Sequence, residues 1–179
     1  MNFYNQKIWF KTMIKSKITV LNTGGTFNKR YNPLKGELEV PTDNIALDEI
    51  IQSCFNVDFK IINIISKDSL EIVDEDRDIL VETIKKLENE NIIIVHGTDT
   101  IDITAKYLSD RIENKKIVLT GAMVPMSIKK VEATLNFAQA IGFLNASIQN
   151  GVYISMHGCV TNYAKLLKNR QLGQFLIEE

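Results

Sequence analysis

Cysteine is scarce in this chain, and neither charge sign is in excess. The two cysteines, Cys54 and Cys159, lie far apart and make no CxxC pair. That spacing argues against a zinc knuckle or a disulfide framework, and two lone thiols fit a reducing, cytoplasmic setting. The 21 basic and 22 acidic residues leave a formal net charge of -1, so nothing marks the chain for nucleic acid or an acidic membrane surface. No apolar run is long enough to span a bilayer. Neither GxGxxG nor GxxxxGK[ST] occurs, which disfavours a dinucleotide or P-loop site. What is left is an ordinary globular composition in 179 residues, enough for one well-buried domain.

Residues 1–16 carry Phe3, Tyr4, Ile8, Trp9, Phe10, Met13 and Ile14, interrupted by Lys7, Lys11 and Lys15. This is too broken for a signal peptide and reads as a lead-in segment packing on the domain; an amphipathic helix on a membrane surface is the alternative. Residues 17–179 then form a single α/β unit. Ile- and Val-rich runs predict strands at Lys17–Asn22, Phe59–Ile65, Ile92–His96, Lys116–Thr120 and Gly151–Met156, nearly continuous in apolarity and so buried on both faces. Helices are expected over Asn44–Cys54, Asp74–Asn89, Thr100–Asp110 and Lys130–Leu144, the last burying Leu135, Ala138 and Ile141. The alternation predicts a doubly wound, mostly parallel sheet with helices on both faces. Turn residues Pro33 and Gly36, then the alternating Glu37–Val40, predict a short hairpin or flap after the first strand.

Chemistry is expected where parallel strands stop. The first strand ends in Thr23-Gly-Gly-Thr26 and the third in His96-Gly-Thr-Asp-Thr100. With the first strand central, both ends open on one crevice. There, hydroxyls, a carboxylate and free N–H groups would converge, which suits attack of a threonine on an acyl carbon. Plainer readings stand beside this: Gly-Gly as a simple loop, Thr-Asp as a helix N-cap, His96 and His157 as hydrogen-bonded structural residues and not metal ligands, Cys159 as an incidental thiol.

Thr23-Gly-Gly-Thr-Phe27 and His96-Gly-Thr-Asp-Thr100, with Ala105 and Leu108, resemble the two signatures of bacterial-type asparaginases and glutaminase-asparaginases. Val118-Leu-Thr-Gly-Ala-Met123, Asn136 and Gly151-Val-Tyr-Ile-Ser-Met156 continue the likeness in order. It runs from about Ile18 to Arg170 and corresponds to the family's N-terminal domain, stopping where the smaller C-terminal domain would begin. The resemblance implies a cofactor-free, metal-free amidohydrolase. It would cleave L-asparagine or a related small amide through an acyl-threonine, as a homo-oligomer, with a dimer expected. Carried over by position, Thr23 is the expected nucleophile, and Thr98, Asp99 and Lys168 form a second catalytic group. Lys165 is the fallback lysine, and a merely solvated surface lysine is the plainer reading. Ser66 would bind the substrate's α-carboxylate, Gly97 and Asp99 its neighbouring groups, and Ala122 the amide. Tyr31 is the candidate flap tyrosine.

The chain departs from the pattern at Lys67, where glutamine is usual, and at Glu132, where an Asp-Gly-Pro run is lost. Family enzymes also complete each site with a neighbouring subunit's C-terminal domain. A small-ligand binding or regulatory domain with weak or no turnover is therefore the rival reading.

Overall fold

A computed structural model describes residues 15–147 and 149–178. In chain order the elements are β1 (Ser16–Gly24), β2 (Arg30–Asn32), β3 (Glu37–Glu39), α1 (Ile45–Ile51), β4 (Val57–Lys67) and α2 (Asp74–Lys86). They continue with β5 (Asn91–Val95), α3 (Ile101–Ser109), β6 (Lys116–Thr120), α4 (Lys130–Ala146), β7 (Gly151–Met156), β8 (Cys159–Asn162), β9 (Leu166–Asn169) and β10 (Gln174–Ile177). The lead-in expected over residues 1–16 lies outside the described residues except for its last two.

Six strands form the main sheet in the order β4-β1-β5-β6-β7-β8, parallel throughout except for β8 on the β7 edge. β1 thus lies between β4 and β5, the position that places the site. Alternation along β5 supplies both apolar layers. Ile92 and Ile94 face a layer with Leu80 and Ile84 of α2 and Leu108 of α3. Ile93 and Val95 face the other, with Leu47 of α1 and Phe137 and Ala140 of α4. Burial on both faces is why β5 runs through Ile and Val from Ile92 to Val95, whereas the edge strand β4 is only partly buried and carries Asp58, Lys60 and Asn63.

The expected hairpin is present as β2 paired antiparallel with β3. Helix α4 differs from expectation in phase. Leu135 is 62% exposed and Ala138 is also outside, while Ala133, Asn136, Phe137, Ala140, Ile141 and Leu144 face the sheet. The helix is apolar on more than one side, so spacing alone does not identify its inner face. The β9–β10 hairpin is an addition to the expected elements; it carries Lys168 on a strand opposite Phe175. Among the described residues no helix is long and apolar enough to cross a membrane.

Candidate active site

Glycines let the strand ends meet. A Cβ on Gly25 would sit 2.4 Å from the Gly97 Cα and N atoms, and Gly25 holds a left-handed φ of 70°. A Cβ on Gly97 would in turn strike the Ser69 Cβ at 2.6 Å. Backbone therefore touches backbone where β1 and β5 stop, which side chains would prevent. Ser69, which the motifs do not single out, braces this contact from the loop after β4. Its Oγ accepts the Asp99 N–H at 3.2 Å and its carbonyl accepts the Thr100 hydroxyl at 2.7 Å. The N–H groups of Gly97 and Thr98 find no acceptor among the described residues.

The expected nucleophile lies inside the sheet. Thr23 is 0% exposed, and its hydroxyl donates to the Val95 carbonyl at 2.9 Å. It is the last side chain of β1 before the glycines, hydrogen-bonded within the sheet. Thr26, beyond the glycines, opens a 3-10 turn at Thr26–Asn28 and is only half-buried. Its hydroxyl has no hydrogen bond among the described residues. Since Thr26 follows Gly25 and Thr98 follows Gly97, these two threonines flank one contact. Pairing of β1 with β4 runs through Asn22 and resumes at Gly24, so Thr23 still belongs to the sheet.

The second group assembles. Lys168 Nζ lies 2.9 Å from Thr98 Oγ1 and 2.9 Å from Asp99 Oδ1, and the Lys168 side chain is largely buried. Arg170, one residue past the end of the same strand, joins the expected members. It donates to Asp99 Oδ1 and to the Asp99 carbonyl, each at 2.9 Å. Lys165, the fallback, is exposed and makes no bond to this group.

His96 is structural. Burial pushes its pKa down to about 4, so the ring is neutral at ordinary pH. Its Nδ1 lies 2.8 Å from the Gly97 carbonyl, which can only accept, so Nδ1 carries the proton and Nε2 accepts from the Thr104 hydroxyl at 2.9 Å. Arg77 donates to that hydroxyl at 3.1 Å, completing a buried chain that steadies the turn after β5. Beyond β6, Ala122 is fully buried, and the turn there is held by Glu132, whose carboxylate accepts the N–H groups of Met123 and Val124.

Two expected residues are not drawn into this cluster. Tyr31 stands on β2, 63% exposed, with no side-chain hydrogen bond among the described residues. Ser66 is partly buried near the end of β4 and borders a depression shared with Lys29, Val40 and Asp68. Lys67, the departure from pattern, is turned to Asp76 at 2.7 Å, and Lys29 pairs with Asp68 at 2.5 Å. Neither lysine adds an uncompensated charge to the crevice.

Comparison with known proteins agrees with this architecture. The L-asparaginase of Thermococcus kodakarensis is 28% identical over 161 residues, 88% of this chain and 49% of that protein. A glutamyl-tRNA(Gln) amidotransferase subunit of Methanococcus maripaludis is 33% identical over 150 residues, covering 79% of this chain and 35% of the relative. Among solved structures, the Thermococcus kodakarensis L-asparaginase superposes with a TM-score of 0.76 at 27% identity, over 90% of this chain and 51% of that one. A probable cytoplasmic L-asparaginase from Campylobacter jejuni gives a TM-score of 0.76 at 27% identity, over 90% of this chain and 53% of that one. The chain thus spans about a third to a half of the length of these relatives. Residues 17–173 match the family described as Asparaginase, N-terminal, and the chain belongs to that family.

Proposed function

We propose that this chain carries amide-hydrolysing chemistry of the asparaginase type, acting on L-asparagine or a related small amide. The observation that carries it is the contact of Lys168 Nζ with both Thr98 Oγ1 and Asp99 Oδ1 beside the Gly25–Gly97 junction. A hydroxyl, an amine and a carboxylate in hydrogen-bond sequence form the arrangement that moves a proton during acyl transfer.

In this reading Thr26 Oγ forms the new bond to the amide carbon. Its proton passes by way of the Thr98 hydroxyl to the lone pair of the neutral Lys168 amine. The C–N bond then breaks, the nitrogen takes up the proton and leaves as ammonia. Water hydrolyses the acyl-threonine by the reverse proton path and yields the acid. The N–H groups of Gly97 and Thr98 are the donors offered to the oxyanion, each worth roughly 3 kcal/mol in such a role. Asp99 orients Lys168 or receives the substrate's ammonium, Ser66 its carboxylate, and the Ala122 carbonyl the amide group. A cytoplasmic homodimer is the assembly that fits the resemblance.

One observation favours a second reading. Arg170 already sits on Asp99, the carboxylate a substrate ammonium would need. A domain that binds a small amide or acid with little turnover follows from that. An ammonia-release screen over asparagine, glutamine and small amides decides between the two. Release from one of them supports hydrolysis; calorimetric binding with no release supports the binding domain.

A further inference from the structure

We propose that His157 is a positioning residue that holds Lys168 in the site by bracing the β9–β10 hairpin against the turn after β6; this rests on the hydrolytic reading above. His157 and Gly158 are the two residues joining β7 to β8, with φ values of 52° and 85°. Positive φ at both central positions is the type I′ hairpin turn, for which Asn-Gly or Gly-Gly is the cheaper sequence. A histidine at the first position adds nothing to the turn itself, and its side chain is used elsewhere.

The imidazole connects two parts of the site. Nδ1 lies 3.2 Å from the main-chain N of Phe175 and accepts its N–H. Nε2 therefore bears the ring proton and donates to Glu132 Oε1 at 3.1 Å. Glu132 is the same carboxylate that accepts Met123 and Val124 N–H beyond Ala122. The His157 N–H is itself fixed by Asn136 Oδ1 at 2.9 Å, and the Phe175 ring meets the imidazole edge-on with centroids 5.8 Å apart.

Phe175 is the register partner of Lys168 in the antiparallel β9–β10 pair. Directly opposed residues share a face of a hairpin, so fixing Phe175 fixes the backbone from which Lys168 reaches Thr98. β9 and β10 pair with each other and not with the six-stranded sheet, so their placement depends on such side contacts. The imidazole ties the turn that presents the Ala122 carbonyl to β10, the partner strand of the one that presents the lysine. An error of about 1 Å in placing a proton-transfer group is enough for a hundredfold loss.

The test uses His157→Gly and His157→Asn, which both keep the I′ turn; Asn also avoids the extra chain freedom of glycine. In His157→Gly, kcat for ammonia release is expected to fall about tenfold or more with KM within about twofold. The melting temperature stays close to that of the parent, and amide exchange at Phe175 quickens. His157→Asn, whose short side chain reaches Phe175 but not Glu132, is expected to fall between the two. Unchanged Phe175 exchange in His157→Gly, or faster exchange with parental kcat, overturns the brace. If the parent protein hydrolyses no amide, the hydrolytic reading fails. The brace is then read from Phe175 exchange and from the Lys168–Thr98 distance in a crystal structure of His157→Gly, where an unmoved lysine overturns it.

Discussion

Lys168 Nζ lies 2.9 Å from Thr98 Oγ1, although the two residues are 70 positions apart in the chain. The contact joins β9, outside the main sheet, to the turn after β5 inside it. If the lysine moves the proton, Lys168→Met removes the base and keeps most of the side-chain volume. Turnover should drop by about 10²–10⁴-fold, the range for a lost general base, with the circular dichroism spectrum unchanged. Ammonia release in a coupled assay checks this; a loss under about threefold would remove Lys168 from the chemistry.

The backbone contact between Gly25 and Gly97 leaves no room for a methyl group. Gly25→Ala places a Cβ 2.4 Å from Gly97 Cα at a φ of 70°. Left-handed strain and overpacking together should cost about 2–4 kcal/mol in chemical denaturation. Gly36→Ala, where nothing lies within 4 Å of the added carbon, carries the φ penalty alone and should cost less.

Acid should weaken the fold through His96. Its pKa lies near 4 in the native protein against 6.5 ordinarily. Between those values the unfolded chain binds a proton that the native chain does not. Stability therefore falls as pH drops from about 6.5 towards 4, by up to about 3 kcal/mol. His96→Gln should flatten that part of the profile when urea midpoints are compared near neutral pH and about half a unit above the native pKa. An equally steep profile in the variant would assign the acid sensitivity elsewhere.

Helix α4 offers a test of its inner face. Phe137→Ala removes a fully buried ring and should cost about 3–5 kcal/mol. Leu135→Glu, on the exposed side, should change stability by less than about 0.5 kcal/mol. Thermal unfolding of the two variants reads the difference.

The parallel strands are legible in the sequence because burial in the sheet favours Ile- and Val-rich runs; Lys116–Thr120 and Gly151–Met156 agree residue for residue with expectation. The crevice is legible too, since glycines after strands signal close backbone approach. The inner face of α4 is not, because Val131 and Leu135 look as apolar as the residues that face the sheet. Thr23 looks reactive because it ends an apolar run, yet β1 still pairs with β4 at Gly24 and the Val95 carbonyl takes the Thr23 hydroxyl, so it is buried. Lys168 is reachable through family resemblance alone, as a four-residue strand leaves no periodic trace. Arg170 on Asp99, and Glu132 with His157 and Phe175, are long-range pairings that no local pattern encodes.

The central claim is that Thr26, and not Thr23, is the attacking hydroxyl. Ammonia release by Thr26→Ala and Thr23→Val, measured beside the parent protein, tests it most directly. Thr26→Ala should lose turnover by about 10⁴-fold or more while remaining folded. Thr23→Val should lose about 1 kcal/mol of stability, through the hydrogen bond to Val95, and keep turnover on the parental scale. A folded Thr26→Ala that still releases ammonia at the parental rate, or a folded Thr23→Val that releases none, would contradict the account.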